Sequence, residues 1–592
     1  MKRKWKIREK INEDIITKFP GFDPVILQLL HNRGLKEKRE IENFFEPRYE
    51  LLSSPYDLTD MRTAVEKIFE ALAGERKIFI YADYDADAVT ACAVLYRFLK
   101  RLGADVGYYI PDRFAEGYGM NADAVAEIAD AGAKLLITVD CGINSVAEVD
   151  RANSKGMEVV ITDHHEIIGN LPAAAAVINP KRNADLEDLQ GLTGVGVAFK
   201  LVQALAAVLH REHYSIIHKW QLPEFESVKF KQLFERLGKK VNAHWEKWLL
   251  DLVAIGTIAD CQSLMGENRT LVKFGLQVMR KTKWIGLREI LKNSGTDLAQ
   301  GLDTFTVAFI IAPRINAAGR IQHAGIACNL LITDDPAEAA MLAGQLESLN
   351  AHRQRLTEQI VSEARSQVLE QSGRKILLAT GANWPKGVVG LVASRLTEEF
   401  GRPTIVLEQG EELATGSARS VKGFNIVEAF ASARELLERF GGHAQAAGLT
   451  IKNEKIPKFY EKVLEYSQDR LTEENLVKEQ EIDLSLEPKD ITDDLVEKLK
   501  MFEPFGLGNP SVKFMLSGLT LEQLKVVGSN GKHLKLHAAQ NGKIYEFIGF
   551  GHAKRFSTLN LGENLDFVVE PSFNIWNGRK KIQLKVKDLR RV

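Results

Sequence analysis

Three aspartates, Asp83, Asp85 and Asp87, occupy alternate positions directly after the apolar run KIFIY. Like charges this close together repel one another, and burial makes their ionised forms still less stable, so a cation is needed to hold them. If the chain stays extended beyond the run, all three carboxylates project to the same side. The plainer interpretation of any one of them is the N-cap of the next helix.

Two further apolar runs end in residues of the same kind. The run LLITV is followed by Asp140, and the run EVVIT is followed by Asp163, His164 and His165. Short β-branched runs that alternate with helix-like stretches predict a parallel sheet. Ligands of such sheets bind beyond the carboxyl ends of the strands. We therefore expect these carboxylates and imidazoles to meet at one edge of the sheet.

The residue types indicate which metals such a site takes. Carboxylates with one or two imidazoles and no thiolate favour Mn²⁺ or Mg²⁺ over structural zinc. Two such ions roughly 3.5–4 Å apart activate water and stabilise a leaving oxygen in phosphoryl chemistry. A supporting or purely structural role is the alternative for His165. The pattern predicts a two-metal phosphoesterase site.

Bulk composition limits the possible classes of protein. The chain has 592 residues, enough for three to five domains. Its 78 basic and 79 acidic residues nearly cancel, so any surface that attracts nucleic acid must be local. The four cysteines are far apart, which predicts reduced thiols in a cytoplasmic protein. The N-terminus has no signal-peptide pattern, and we expect no membrane helix.

The pattern of apolar and polar residues changes several times along the chain. The predicted fold is α/β, with a parallel-sheet domain, a second α/β domain joined to it by a long helix, and a C-terminal OB-type β-barrel. The barrel is predicted from period-two runs broken by SNG, QNG and WNG turns. The predicted domains are an N-terminal helical region at 1–70, the parallel-sheet domain at 71–265 with a helical insertion at about 210–250, a helical region and long connecting helix at 266–372, the second α/β domain at 373–455, and the barrel at 476–592.

The ordered motifs resemble those of the DHH phosphoesterases. DYDAD, TVDCG, TDHH and GTIAD match the four motifs of that superfamily in order, and GGHAQAAG resembles the signature of the DHH-associated domain. IAPRINAAGRI, EPFGLGNP and the barrel pattern narrow the resemblance to the RecJ family of single-strand-specific 5′→3′ DNA exonucleases. The resemblance extends over nearly the whole chain. It implies a DHH catalytic domain, a DHH-associated nucleic-acid-binding domain, and a function in DNA repair and recombination.

The same resemblance implies a role for each candidate metal ligand. The ligands form two groups that share one bridging carboxylate: Asp83 and Asp85 at one ion, Asp87, His164 and Asp260 at the other, and Asp140 between them. His165 would lie beside the scissile phosphate, so the implied catalytic residues are His165, Asp140 and Asp87. Asp260 follows LVAIGTIA, and its assignment rests on the resemblance alone.

Several residues are candidates for holding the DNA, because the planar fork of arginine suits phosphate. They are Arg113, Tyr118, Arg314, Arg320, Ser417, Arg419 and His443. The resemblance puts four of them near the 5′-terminal phosphate: Arg113, Arg314, Ser417 and Arg419. The plainer interpretation of a single arginine is a surface salt bridge. For His443 it is a tight turn with a buried histidine.

The last 22 residues, 571–592, contain seven basic residues and one acidic residue, with Phe573 and Trp576 among them. Positive charge interleaved with aromatic rings is typical of single-strand binding. The alternative is a lysine-rich edge strand that prevents aggregation. The implied substrate is single-stranded DNA with a 5′ end. The resemblance adds single-strand-binding protein and a helicase as partners, and a monomer without a membrane association.

The chain also departs from the family pattern. Ala82, Ala88 and Ala418 stand where the family usually has glycine, and NWPKGVVG replaces the usual Trp-His-Pro-Gly pattern. An added methyl group costs roughly 1 kcal/mol where φ is positive. Two other functions therefore stay open: another DHH phosphodiesterase that acts on short oligonucleotides or cyclic dinucleotides, and a non-catalytic DNA-binding scaffold with a relic fold. The insertion holds four of the thirteen histidines in a spacing that matches no metal motif.

Overall fold

The computed structural model describes residues 3–117, 119–225, 228–296, 301–371, 373–528, 530–576 and 579–592, without the side chains of 228–229 and 575–576. The chain forms two compact units. We call Arg48–Val477 the central unit. The terminal unit combines the residues up to Pro47 with Lys478–Val592. The predicted N-terminal region at 1–70 is therefore divided between the two units.

The N-terminal segment contains one strand and three helices: β1 (Lys4–Ile7), α1 (Glu13–Lys18), α2 (Pro24–Asn32) and α3 (Lys38–Phe45). Asp23 accepts a hydrogen bond from the Val25 N–H and so caps α2, which Pro24 begins. The prediction of a purely helical segment is wrong at β1. The sequence KWKI alternates polar and apolar residues, but four residues are too few to predict a strand, which forms by pairing with the distant β12.

The central unit begins with a five-stranded parallel sheet, as predicted. Its strands run in the order β3-β2-β4-β5-β6, so the strands that precede the candidate ligands are neighbours. The strands and their helices are α4 (Met61–Ala73), β2 (Ile78–Ala82), α5 (Ala86–Leu102), β3 (Val106–Tyr109), α6 (Ala122–Asp130), β4 (Leu135–Val139), α7 (Val146–Ser154), β5 (Glu158–Thr162) and β6 (Ala176–Ile178).

A group of helices covers this sheet and includes the predicted insertion: α8 (Glu187–Gln190), α9 (Gly194–Leu209), α10 (Arg211–Ile217), α11 (Val228–Gly238), α12 (Leu250–Ala259) and α13 (Gly266–Met279). Helix α5 packs against both α9 and α12, and nearly all of its residues are buried. Among the described residues no single helix has the length and apolarity to span a membrane. Helices α9 and α10 meet these two criteria only when they are taken together, and they are bent by 112° relative to one another.

More helices lead to the second α/β part: α14 (Ile285–Asn293), α15 (Thr304–Thr306), α16 (Ala312–Ile321), α17 (Gly325–Ile332) and α18 (Pro336–Leu369). A π-helical turn at Val307–Ile311 joins α15 to α16. The long connecting helix is α18, which has 34 residues. Asp335 caps its first turn by accepting hydrogen bonds from the N–H groups of Ala337 and Glu338.

The second sheet has the order β10-β11-β9-β8-β7, in which only β7 and β8 are parallel. It confirms the predicted second α/β domain. Its elements are β7 (Leu377–Gly381), α19 (Lys386–Phe400), β8 (Thr404–Gln409), β9 (Leu413–Arg419), α20 (Ile426–Ala431), β10 (Leu437–His443), β11 (Ala446–Lys452), α21 (Ile456–Arg470) and α22 (Glu473–Leu476).

The terminal unit contains the predicted barrel. Strands β14, β15, β16, β18 and β17 follow one another, and β17 pairs back onto β14, which closes the ring. Its elements are β12 (Glu479–Ile482), β13 (Leu484–Ser485), α23 (Asp493–Lys500), β14 (Phe514–Val527), β15 (His533–Gln540), β16 (Lys543–Gly549), β17 (Asn564–Trp576) and β18 (Arg579–Arg591).

The N-terminal segment is an integral part of this terminal unit. Strand β1 pairs in parallel with β12, and the Trp5 indole N–H donates to Asp588 at 2.9 Å. Arg33 donates to the Asn509 side chain at 2.6 Å and to the Pro510 carbonyl at 2.7 Å. Because Asn509 and Pro510 close the EPFGLGNP motif, the two ends of the sequence fold as one body.

A buried ion pair fixes α9 against α13. The Lys200 ammonium lies 2.6 Å from the Glu267 carboxylate, and both side chains are buried. Lys200 also donates to the Ser53 carbonyl at 2.9 Å. We expect Lys200→Met to lower the free energy of unfolding by about 3–5 kcal/mol, because it leaves a buried carboxylate without its partner. Chemical denaturation followed by circular dichroism measures the change.

The matched control is the exposed pair of Lys292 and Glu289, which lie 3.1 Å apart on α14. Lys292→Met should change stability by no more than about 0.5 kcal/mol. The double variant Lys200→Met/Glu267→Leu should recover much of the loss, since both charges are then gone. A Lys200→Met effect as small as that of the control would contradict the role given to this pair.

Candidate metal centre and phosphate-binding pocket

The chain does not stay extended after KIFIY, so the expectation for Asp83, Asp85 and Asp87 is wrong in this detail. Strand β2 ends at Ala82 and α5 begins at Ala86. Asp85 is the N-cap of α5 and accepts from the N–H groups of Asp87 at 2.9 Å and Ala88 at 3.1 Å. The helix start is favoured over the extended path because the free N–H groups of its first turn need an acceptor. Asp83 and Asp87 are nevertheless buried beside Asp85.

Asp87 is held by the first turn of α9. Its carboxylate accepts from the Gly194 N–H at 2.7 Å and from the Val195 N–H at 2.9 Å. Burial, together with the charges of Asp260 and Asp85, nevertheless raises the pKa of Asp87 well above its usual range. Sequence reasoning missed these two amides. The signal that could have revealed them is the helix start at TGVG, where Thr193 caps α9.

Asp140 follows β4 in an unusual backbone conformation. Its φ is +59°, in the left-handed region that residues other than glycine rarely adopt and that is enriched at functional sites. A side chain at Gly194 would collide with the Asp140 carboxyl group, so the glycine leaves the space this aspartate occupies. Burial and the charge of Asp87 raise the pKa of Asp140 well above its usual range.

The imidazole of His164 lies among the carboxylates. Its Nε2 atom is 3.0 Å from an Asp140 oxygen, 3.8 Å from an Asp260 oxygen and 3.9 Å from an Asp87 oxygen. Burial and the neighbouring His165 lower the pKa of His164 to about 4, so its ring is neutral near pH 7. A neutral imidazole is the form that binds metals.

His165 is oriented by Asp163, to which sequence reasoning gave no role. The His165 Nδ1 atom lies 2.8 Å from an Asp163 oxygen. Asp163 also accepts from the backbone N–H groups of His164, His165 and Ile143. Burial lowers the pKa of His165, but the bond and charge of Asp163 outweigh it, so the net shift is upward. The aspartate of the TDHH motif therefore positions its last histidine.

Asp260 completes the cluster from the end of α12, where it is the C-cap. Burial and the charge of Asp85 raise its pKa to about 6. Two triads can each place one atom per residue within 4.8 Å: Asp140 with His164 and His165, and Asp87 with His164 and Asp260. The structure thus brings together residues from the ends of three strands, one helix N-terminus and one helix C-terminus.

The donor set fits two divalent cations. Four buried atoms of the cluster have no hydrogen-bond partner: oxygens of Asp83, Asp140 and Asp260, and the Nε2 atom of His164. Such buried acceptors are costly unless something satisfies them. Carboxylate oxygens with an imidazole are ligands that Mn²⁺ and Mg²⁺ accept. The residues that are present therefore match the metals expected from the sequence.

Several arginines form a basic counterpart to this acidic cluster. Arg113 lies 4.7 Å above the Tyr84 ring, Arg320 donates to the Gly387 carbonyl at 3.1 Å, and Arg419 donates to the Ser417 hydroxyl at 2.7 Å. Burial and the charge of Arg113 lower the pKa of Arg320 to about 10 and also lower that of Arg419. Because these three half-buried guanidinium groups repel one another, this pocket suits an anion such as phosphate.

Helix α16 connects the two charged groups. Its Asn316 side chain accepts from the Ala86 N–H at 2.9 Å, at the start of α5. Its Gly319 lies so close to the metal-binding loop that a Cβ atom would be 2.6 Å from the Tyr84 carbonyl oxygen. Arg320 then follows and enters the basic pocket. Sequence reasoning quoted this stretch, APRINAAGR, but did not single out Asn316.

The other candidates for DNA binding lie in different settings. Arg314 forms a two-pronged ion pair with Glu347, at 2.7 and 3.1 Å. His443 is exposed at the end of β10, and its charge contributes, after that of Lys181, to lowering the pKa of Glu166. Tyr118 lies outside the described residues. Trp576 ends β17, and its side chain is likewise outside the description.

The three alanines at family glycine positions are accommodated without strain. Ala82, Ala88 and Ala418 are fully buried, and none of them has a positive φ. Ala82 lies in a strand, Ala88 in a helix and Ala418 in a strand. Their methyl groups therefore do not carry the conformational cost that a left-handed position would impose.

Comparison with known proteins gives three family matches. They are the DHH family N-terminal domain at residues 77–257, the DHHA1 domain at 373–469 and the RecJ OB domain at 482–588. Their order is the order of the three folded parts described above.

Two relatives that match nearly the whole of this chain carry the same name as each other. The single-stranded-DNA-specific exonuclease RecJ of Bacillus subtilis is 37% identical over 99% of this chain and 71% of its own length. The RecJ of Thermus thermophilus is 35% identical over 95% of this chain and 74% of its length. The crystal structure of RecJ from Thermus thermophilus in complex with Mn²⁺ covers 99% of this chain and 79% of its own, with a TM-score of 0.81 and 31% identity. The chain therefore belongs to the RecJ family.

Proposed function

We propose that this chain is a metal-dependent, single-strand-specific DNA exonuclease that hydrolyses phosphodiester bonds from the 5′ end and releases 5′-mononucleotides in DNA repair and recombination. The observation that carries the proposal is the 3.0 Å approach of the Asp140 oxygen to the His164 Nε2 atom. Neither atom has a hydrogen-bond partner, and a neutral imidazole nitrogen facing a carboxylate is satisfied by a cation between them. Two bound Mn²⁺ or Mg²⁺ ions would activate water and stabilise the leaving oxygen.

In this proposal the ligands are divided between the two ions as the resemblance implies. Asp83 and Asp85 hold one ion, Asp87, His164 and Asp260 hold the other, and Asp140 bridges them. The Gly194 and Val195 amides keep the Asp87 carboxylate in place, and Asp163 keeps the His165 ring turned toward the scissile phosphate. Orientation of this kind contributes strongly to catalysis because the reacting groups are already in position.

The basic pocket binds the 5′-terminal phosphate. Arg113, Arg320 and Arg419 supply the guanidinium groups, and Ser417 adds a hydroxyl. Arg320 takes this role more readily than Arg314, because Glu347 already neutralises Arg314. His443 contacts the strand from the β10 edge.

The barrel of the terminal unit binds single-stranded DNA through the basic strand β18. Trp576 and Tyr118 are further candidates for contact with the DNA strand. Lys580 lies 3.9 Å from the centre of the Phe573 ring, so that ring already has a cation against it. The expected monomer and the partners, single-strand-binding protein and a helicase, rest on the family resemblance. The cytoplasmic location rests on that resemblance and on the four free cysteines.

The central prediction concerns Asp140. On long single-stranded DNA with a 5′ label, supplied with Mn²⁺ or Mg²⁺, the wild type should release labelled mononucleotide. Asp140→Asn should lower this rate by more than about 100-fold, since even residues that only support metal ligands reach that range. Asp150→Asn, which changes an exposed aspartate on α7, is the matched control and should retain full activity.

Other outcomes of this assay identify the rival functions. Binding of DNA without cleavage by the wild type would favour the non-catalytic scaffold. Cleavage of dinucleotides or cyclic dinucleotides alone would favour another DHH phosphodiesterase.

A second prediction concerns the end of the strand. Arg320→Gln and Arg419→Gln should each reduce the preference for a 5′-phosphate over a 5′-hydroxyl end by roughly tenfold or more, because hydrogen bonds to charged groups contribute about 1.5–3 kcal/mol. The ratio of kcat/KM for the two oligonucleotides measures the preference. Arg365→Gln, at an exposed pair with Glu399, should leave the ratio unchanged. An equal loss from Arg314→Gln would assign Arg314 to the phosphate.

A third prediction concerns the metal-free protein. Burial and the charge of Asp85 raise the pKa of Asp83 to about 8 and that of Asp260 to about 6, above the ordinary value of about 4. Between pH 4 and about 8 the folded state therefore holds more protons than the unfolded chain, and the free energy of unfolding falls as pH rises. Added Mn²⁺ should stabilise the protein most at pH 8.

The melting temperature of EDTA-treated protein at pH 5.5 and pH 8, with and without Mn²⁺, measures this effect. Asp83→Asn should flatten the dependence on pH, because the amide does not titrate. Identical pH profiles for wild type and Asp83→Asn would show that Asp83 is not a buried acid of raised pKa.

A further inference from the structure

The helical insertion brings together histidines that are distant in the sequence. His213 on α10 and His244, just before α12, place their Nε2 atoms 2.5 Å apart, with ring centres separated by 4.1 Å. These two residues are 31 positions apart, which is why their spacing suggested no metal motif. His218, which ends α10, has its ring centre 6.0 Å from that of His244.

The Nε2 atoms of His213 and His244 are hydrogen-bonded to each other, but three other ring nitrogens of this cluster have no hydrogen-bond partner among the described residues. They are both nitrogens of His218, which is only 6% exposed, and the Nδ1 atom of His244. A buried polar atom without a hydrogen-bond partner destabilises the fold unless a ligand satisfies it. His218 stacks against Tyr214 at 5.1 Å and lies 4.5 Å from Trp220, and neither ring satisfies its nitrogens. The cluster therefore presents donor atoms that need a ligand.

Backbone and charge also suit a ligand here. His244 has a φ of +68°, a left-handed conformation that tends to persist where function requires it. Burial and the charge of Lys247 lower the pKa of His244 to about 4 and that of His218 likewise to about 4, and they also lower that of His213. Each neutral ring has one unprotonated nitrogen, and that of either His213 or His244 accepts the hydrogen bond between them, which a metal ion would replace.

We propose that His213 and His244 bind a Zn²⁺ ion, with His218 as the third ligand after its ring turns toward the pair. Imidazole nitrogens without a carboxylate favour zinc over the Mn²⁺ or Mg²⁺ of the first cluster. Zinc–nitrogen bonds of about 2.0–2.1 Å would set the two Nε2 atoms roughly 3.3 Å apart, a small opening from 2.5 Å. His213 and His244 are only half buried, so an ion can enter and water can take the fourth position.

This ion would brace the helices that hold the first cluster. His213 and His218 belong to α10, which continues from α9, whose first turn binds Asp87. His244 precedes α12, which ends at Asp260. His210, at the bend between α9 and α10, already ties the same two segments by a 2.7 Å hydrogen bond to the Val241 carbonyl. A zinc bridge would add a second tie between them.

The test uses the full chain carrying Asp87→Asn and Asp140→Asn, so that the proposed catalytic ions do not contribute. Equilibrium dialysis against Zn²⁺ followed by elemental analysis should find one zinc per chain. Adding His213→Gln and His244→Gln should abolish it, and adding His218→Gln should weaken it about tenfold or more. His352→Gln, an exposed histidine on α18, is the matched control and should change nothing.

Absence of zinc from the parent protein, or retention of one zinc by the His213→Gln/His244→Gln variant, would overturn the proposal. Unchanged affinity in His218→Gln would overturn the third ligand. If the double variant does not fold, the Co²⁺-loaded parent still decides. Four-coordinate nitrogen ligation gives intense visible absorption, and a weak octahedral spectrum would overturn the site. None of these readouts depends on nuclease activity, so they separate this proposal from the proposed function.

Discussion

The structure depends on one electrostatic constraint, the crowding of buried carboxylates at a single edge of the parallel sheet. Asp83, Asp87 and Asp140 are almost fully buried, and burial raises the pKa of each. The arrangement is tolerable only where backbone amides and cations offset the charge. The start of α9 supplies two amides, and the cluster leaves oxygen atoms free for metal. The strand order and the helix termini bring these carboxylates together, and α16 contacts the start of α5 beside them.

The basic pocket is the complementary half of the same constraint. Arg320 and Arg419 are half buried, and burial together with the charge of Arg113 lowers the pKa of both, just as burial and mutual repulsion raise the pKa of the crowded carboxylates in the acidic cluster. One helix, α16, reaches both, through Asn316 on one side and Arg320 on the other. In the proposed function, a nucleic-acid end with its metals would offset both concentrations of charge together. A helix rather than a loop would then set the distance from the terminal phosphate to the cleaved bond.

Local pattern in the sequence was enough to predict the parallel strands, the long helix and the barrel, because each depends on hydrophobic periodicity and turn residues. It did not predict how the acidic loop ends, since the capping demand of α5 overrode the extended path expected for Asp85. It gave no physical reason for Asp260, which lies at a helix end, nor for the amides of Gly194. These depend on contacts between segments more than a hundred residues apart. The pairing of Arg314 with Glu347, 33 residues away on another helix, likewise depends on a tertiary contact.

The terminal unit is built from two segments that are far apart in the sequence, and this has a consequence for biosynthesis. Strand β1 and Arg33 leave the ribosome early, but their partners β12, Asn509 and Pro510 are translated only after the whole central unit. The first segment must therefore wait, unpaired, while the central unit folds beside it. A nascent chain that stalls before the barrel would expose β1 as an open strand edge, which chaperones or proteases can recognise. Folding of the terminal unit thus depends on segments that are translated only after the central unit.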